Sequence, residues 1–311
     1  MKKNDSFQNK KTEILEYNRK IFREFKKSLK DTIFDETLTL YILRPIAFVF
    51  VKILYPTSVT PNQVSFAAII LGFISAFFFA LGDVSFAGIP HINFIIGGIL
   101  YFFILVLDCV DGMIARLKKN GTLTGRIIDG FADYTVGISV YIGLGIGFDK
   151  MGGLGFPISH WWLLIIAAAS HIFHSVIVDY YRVEFMSHGL GKSGSAWEDK
   201  NKFKAELAKI KHEKGHIIDK FLITLYIGYS HLQLFQLTKK ESFEQKSYFD
   251  ANQFLIKLWF WIGPTAHIFA LIFAVIVFRI EYFFIYTIGI ANIYMLALWI
   301  IQVKIKQKLR A

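Results

Sequence analysis

The chain has 311 residues, 54% of them hydrophobic and 17% aromatic, with a mean hydropathy of +0.44 and a formal net charge of +11. So apolar a composition excludes an ordinary soluble domain and predicts an all-α integral membrane protein. The single cysteine, Cys109, excludes an intrachain disulfide and reads as a buried small residue.

In chain order, the first 36 residues are strongly charged and hold no apolar signal core, so no cleavable leader is expected and the start is read as cytosolic. Within them Ile14, Ile21, Phe22, Phe25 and Leu29 fall at helical spacing against a basic face, which suits a helix lying in the membrane interface. The next apolar stretch, LTLYILRPIAFVFVKILY, is interrupted by Arg44, Pro45 and Lys52 and should lie on or dip into the same surface. Residues 1–53 are thus expected to be cytoplasmic or interfacial amphipathic helices, and 54–311 a six-helix membrane domain.

Crossing a hydrocarbon core of about 30 Å takes roughly 20 helical residues. Six runs are long enough: 62–82, 92–116, 124–147, 157–180, 255–278 and 281–303. Residues 187–250 form a cytoplasmic or interfacial insertion, with a solvated helix in EDKNKFKAELAKIKHEKG and an interfacial segment in IIDKFLITLYIGYSHLQLFQL. Residues 1–52 carry twelve lysines and arginines, whereas the alternate loops GDVSFAGIPH and FDKMGGLGFPISH carry none and one. The positive-inside rule then places both termini, the 116–126 linker and the long loop in the cytoplasm. The net positive charge reads as attraction to anionic lipid headgroups and not as nucleic-acid binding.

One stretch breaks the hydropathic pattern. Asp108 and Asp111 close the second span at i, i+3 spacing, and Asp129 and Asp133 open the third at i, i+4, so each pair shares one helix face. A short turn joins the two helices antiparallel, and four carboxylates converge. Such charges in a low-dielectric setting repel unless cations neutralise them. Oxygen-only ligands point to Mg²⁺ or Mn²⁺; one or two ions fit the carboxylate count, and two are expected. Gly112, Ala115 and Gly125 remove bulk beside the aspartates, and Arg116 supplies charge suited to a phosphate. Together they describe a pyrophosphate site open to the cytoplasm.

The spacing D-x2-D-G-x2-A-R-x8-G-x3-D-x3-D, met by Asp108, Asp111, Gly112, Ala115, Arg116, Gly125, Asp129 and Asp133, resembles the signature of the CDP-alcohol phosphotransferase (phosphatidyltransferase) family. Pro61 and Asn62 in VTPNQVS are similar to the Pro-Asn element that often precedes it. The resemblance covers residues 37–180, and the 187–250 insertion departs from compact members of the family. It implies a six-helix enzyme, commonly a homodimer, that moves a substituted phosphoryl group from a CDP-linked alcohol to a second alcohol and releases CMP. By position it implies Asp108, Asp111 and Asp129 as metal ligands and Asp133 as both a ligand and the general base. Pro61, Asn62, Gly112, Ala115, Arg116 and Gly125 would frame the CDP moiety.

LYILRPIAFVFVKILYPTSVTPNQVS resembles the lead-in segment of inositol-phosphate-using members, which implies CDP-diacylglycerol as donor and inositol, inositol phosphate or a similar polar alcohol as acceptor in a phospholipid-making reaction at a bacterial cytoplasmic membrane. The alternative is transfer from CDP-choline or CDP-ethanolamine to diacylglycerol. Arg126 and Arg182, with Asp179, are candidates for the acceptor pocket, although Asp179 and Arg182 also read as an interfacial salt bridge. Two rivals fit less well. An ion-coupled transporter would place its charges near the midplane on broken helices, and prenyltransferases carry acidic motifs far apart, whereas 17 residues part Asp111 from Asp129. His171 and His174 read as hydrogen-bonded interior histidines, and the tryptophans and tyrosines as interfacial residues.

Overall fold

The computed structural model describes residues 16, 19–29, 35–83, 91–191, 195–210, 220, 223, 224, 227 and 243–310, and among these there are helices and turns but no strand. After a helical stretch at 19–28 and a π-helical turn at Thr39–Leu43 come α1 (Arg44–Leu54), α2 (Pro61–Leu81), α3 (Ile92–Lys118), α4 (Leu123–Lys150), α5 (His160–Gly189) and α6 (Ser195–Ile210). Then follow α7 (Gln245–Trp259), α8 (Pro264–Ile276) and α9 (Glu281–Arg310), the last containing a π-helical stretch at Ile285–Ile290.

Six helices among the described residues are long and apolar enough to cross a membrane: α2, α3, α4 from Ile127, α5 to His188, α7–α8 taken together, and α9. On α4, Val136, Val140, Leu144 and Phe148 recur every fourth residue and join Phe79, Phe94 and Tyr101 in the core shared with α2 and α3. The opposite face exposes Ile138, Ile142 and Ile146, and α2 exposes Phe66, Ile70, Phe73 and Phe77. Apolar stripes on both sides of a helix are what lipid outside and protein inside require.

The sequence expectations need two adjustments. A 30-residue helix such as α9 is about 45 Å long, more than the hydrocarbon layer. The ends of α5, α7 and α9 pack together through Phe185 and Tyr248, a Gln302 Nε2 to Asn252 Oδ1 hydrogen bond of 2.7 Å and a Lys306–Glu184 ion pair of 2.6 Å. The fifth span therefore begins at Gln245, ten residues before its apolar run. Second, α6 is solvated on one face only: Lys204, Ala208 and Lys209 are exposed, whereas Phe203 and Ile210 are buried with Ile223 against Ile127, at the start of the third span. Most of the segment after it, with its interfacial reading, lies outside the described residues, as does Ile14.

The fifth span is broken at Phe260–Ile262, where α8 restarts on Gly263 and Pro264. Glu36 supplies the missing cap: its Oε2 accepts from Thr265 N at 3.1 Å, and a Cβ on Gly263 would meet its Cδ at 2.7 Å, so only glycine admits the carboxylate. Deeper in, His174 Nδ1 lies 3.1 Å from His267 Nε2 and His174 Nε2 lies 3.2 Å from Asn292 Oδ1, while His267 Nδ1 is 3.1 Å from Thr287 Oγ1. That matches the reading of His174 as a hydrogen-bonded interior histidine, and the His171 ring packs 4.7 Å from that of His267.

Burial raises the Glu36 pKa from about 4.5 to about 7, against the lowering effects of Arg182 and Thr265. The folded protein then binds more protons than the unfolded one between those values, so stability is held below pH 4.5 and falls as pH rises to 7, by roughly 3 kcal/mol. Glu36→Gln should flatten this slope: melting curves in detergent should show the variant gaining on wild type from pH 5 to pH 8, and a pH-independent difference would contradict it.

Candidate active site

Local chemistry brings the two halves of the acidic motif together. α3 ends on Lys119, in the left-handed region at φ 54°, and the Thr122 hydroxyl caps α4 by accepting from Gly125 N at 2.9 Å. Only residues 119–122 therefore separate the two helices, which must run antiparallel. α2 begins on a reciprocal cap in which Thr60 N donates to Gln63 Oε1 at 3.0 Å and Gln63 N donates to Thr60 Oγ1 at 3.4 Å, with Pro61 in the first turn. A Cβ on Gly125 would lie 2.8 Å from Asn62 Oδ1, so the glycine lets the starts of α2 and α4 meet.

Asp108, Asp111 and Asp129 each offer a carboxylate oxygen within 4.8 Å of the others. Asp111 is buried and accepts a 2.6 Å hydrogen bond from the Ser65 hydroxyl, while Asp108 and Asp129 are half-buried and within hydrogen-bonding reach of each other. Asp133 is exposed and stands outside this set. Four residues advance a helix by about 6 Å and rotate it about 40° past a full turn, so an i, i+4 pair shares a face without sharing a point. The expectation of four converging carboxylates becomes three, with the fourth beside them.

The neighbours divide into two groups. Arg116 folds back over its own helix, its terminal nitrogens 3.4 Å from where a Cβ on Gly112 would sit, and its Nε donates to the Ser28 carbonyl at 2.5 Å. Ala115 lies 3.4 Å from the corresponding position on Gly121, at the turn into α4. Asp179 and Arg182, in contrast, pair with each other at 3.6 Å, and Arg182 reaches Glu36 at 3.9 Å, which assigns them to the break in the fifth span. The Arg126 side chain lies outside the described residues. Among the described residues His171 and His174 join no metal-holding group. An apolar cavity lined by Phe94, Phe148, Met151, Leu154, Phe156 and Phe278 lies near the far ends of α3 and α4, away from the aspartates.

Sequence reasoning passed over Ser65 and Asp35, and noted Arg44 only as a break in an apolar stretch and as part of a lead-in segment. Ser65 could have been found from its place one turn after Pro61, on the face of α2 that the Pro-Asn element opens. Asp35 and Arg44 pair with each other across nine residues of chain, a contact that no local pattern encodes.

Residues 58–210 match the protein family described as CDP-alcohol phosphatidyltransferase. Two curated relatives, the ethanolaminephosphotransferase 1 proteins of Homo sapiens and Pongo abelii, are each 31% identical over 115 residues, which cover 35% of this chain. The match spans 28% of the length of those relatives.

Three carboxylates this close repel by at least about 3 kcal/mol per ionised pair at an effective dielectric constant of about 20. Neutralising one of them relieves the strain of the metal-free protein and removes a ligand. Asp129→Asn should therefore melt higher than wild type in EDTA and bind Mn²⁺ about ten-fold or more weakly by electron paramagnetic resonance titration. Lower melting in EDTA with unchanged Mn²⁺ affinity would contradict the arrangement.

Proposed function

We propose, for a chain that belongs to the CDP-alcohol phosphatidyltransferase family by its residues 58–210, that it is a membrane-embedded transferase moving a substituted phosphoryl group from a CDP-linked alcohol to a second alcohol with release of CMP. The observation that carries this reading is the convergence of Asp108, Asp111 and Asp129 beside Asp133 and Arg116. An all-oxygen donor set of this size suits Mg²⁺ or Mn²⁺, one or two ions. Such an ion, when bound, stabilises charge on the diphosphate and the departing CMP.

The chain's own groups do the rest. Asp108, Asp111 and Asp129 hold the ion, and the Ser65 hydroxyl fixes the orientation of Asp111. Pro61, Asn62, Gly112, Ala115 and Gly125 shape the floor on which the cytidine diphosphate lies, with Arg116 offering N–H groups to phosphate oxygen. Asp133, exposed one turn along α4 from Asp129, takes the proton from the attacking hydroxyl and is the remaining candidate ligand. The basic flanks set this end of the helices, and both termini, on the cytoplasmic side.

For the substrates, the segment around Arg44 and Pro45 favours CDP-diacylglycerol with a polar alcohol acceptor. The two relatives named for ethanolamine phosphotransfer favour a CDP-aminoalcohol with diacylglycerol, and of the two readings this one has the more direct support. The 115 matched residues fall short of a whole relative, so the choice belongs to an assay.

Purified protein in detergent with Mg²⁺ or Mn²⁺ should release CMP from CDP-ethanolamine or CDP-choline with diacylglycerol, or from CDP-diacylglycerol with inositol, inositol phosphate or glycerol phosphate. Asp133→Asn should lose at least about 100-fold in turnover while binding Mn²⁺ and CDP within about ten-fold of wild type. Full turnover in that variant would overturn the assignment of the base.

A further inference from the structure

The guanidinium of Arg44 is the buried charge that the proposed reaction does not yet use. It opens α1, is 8% exposed, and pairs through one terminal nitrogen with Asp35 Oδ1 at 3.0 Å. Three buried polar atoms of its surroundings lack a hydrogen-bond partner: Arg44 Nε, Arg116 Nη2 and Asp35 Oδ2. A buried polar atom without a partner is costly, most of all on a charged group, and an oxyanion would pair the two arginine N–H groups. Both arginines lie within electrostatic reach of Asp108. Arg116 folds over Gly112, next to Asp111, and α1, which Arg44 opens, packs along α3 through Ala47 and Val51 against Cys109, Val110 and Met113.

Two guanidinium groups, each keeping a free N–H beside a carboxylate cluster, match the geometry that recognises phosphate oxyanions. The segment before α1 closes over them. Ser28 is fully buried and its carbonyl takes Arg116 Nε, Phe25 packs edge-on to Phe48 of α1 at 5.2 Å, Glu24 pairs with Lys52 at 2.7 Å, and the Asp35 carboxylate occupies one face of Arg44.

We propose that Arg44 and Arg116 together form a phosphate-binding pair at the edge of the aspartate cluster, with the Asp35 carboxylate standing in the ligand-free protein where a substrate phosphate oxygen competes for Arg44. This rests on the reading of the aspartates as a CDP-alcohol site. The phosphate belongs either to the diphosphate of the donor or to a phosphorylated acceptor, and both present the same oxyanion. Because Arg44 acts by binding, its loss shows in ligand affinity, not in metal affinity.

The test is calorimetric titration of full-length protein in detergent and Mn²⁺ with CDP, glycerol phosphate and inorganic pyrophosphate. Arg44→Gln should weaken at least one of these by about ten-fold or more with Mn²⁺ affinity unchanged, and Arg44→Lys should recover part of the loss. Loss on CDP identifies the donor diphosphate; loss confined to glycerol phosphate identifies an acceptor phosphate. Asp35→Asn, which frees Arg44, should tighten the same ligand, and it carries the test should Arg44→Gln fail to fold. Binding within about two-fold of wild type in both Arg44→Gln and Asp35→Asn, or Asp35→Asn alone where Arg44→Gln does not fold, overturns the pair. If wild type binds CDP and the variants bind it equally, the pair fails and the donor reading stands. If wild type binds pyrophosphate through Arg44 but no cytidine nucleotide, the pair stands and the donor reading fails. No binding of any of the three overturns both.

Discussion

Three carboxylates within 4.8 Å of one another, at the end of membrane helices, set the constraint around which the rest is arranged. Wherever two or more of them are ionised and no cation is bound, their mutual repulsion opposes folding, so the scaffold must hold them together by other means. It does so with elements that need no charge: a four-residue turn between α3 and α4, a threonine cap at each of the helix starts that face the site, and an alternation of large side chains along α4 that locks it to α2 and α3. The aspartates are placed by the apolar packing of the helices that bear them, which is why the site sits on rigid elements and not on loops.

A second polar layer surrounds the first. At the same end of the helices Ser28 meets Arg116 of α3, and Glu36 meets Thr265 of α8 and Arg182 of α5, across long stretches of chain, while Asp35 meets Arg44 of α1 across nine residues. Each contact ties the stretch before α1 to a different helix. The break in the fifth span belongs to this layer too, since Gly263 admits Glu36 and Pro264 restarts the helix where no backbone donor is available. Arg44 and Arg182 are paired with carboxylates in this layer, while Arg116 is held by a backbone carbonyl.

Much of this was legible in the sequence because membrane crossing imposes a strong pattern. The six spans follow from run length alone, and Asp108, Asp111 and Asp129 stood out because charge inside apolar runs is costly and rarely accidental. Helix periodicity also gave the pairing of faces. Asp133 stands outside the three, one turn along α4 from Asp129, because i, i+4 residues share a helix face without sharing a point. The ends of spans were less readable: residues 245–254 are too polar to register as part of a crossing helix, yet they continue one because Tyr248 and Asn252 pack against α5 and α9. Phe203 was hidden by its charged neighbours, Ser65 gains its meaning from Asp111 far along the chain, and Asp35 and Arg44 gain theirs from each other.

The central claim is that the aspartate cluster holds a divalent cation together with the diphosphate of a cytidine nucleotide. Equilibrium binding of CDP to the wild-type protein, measured with Mn²⁺ and again with EDTA, tests it most directly. The account predicts saturable binding that is lost, by about 100-fold or more in affinity, when the metal is removed. Binding of equal strength in EDTA, or no binding of CDP in folded, Mn²⁺-loaded protein, would contradict it.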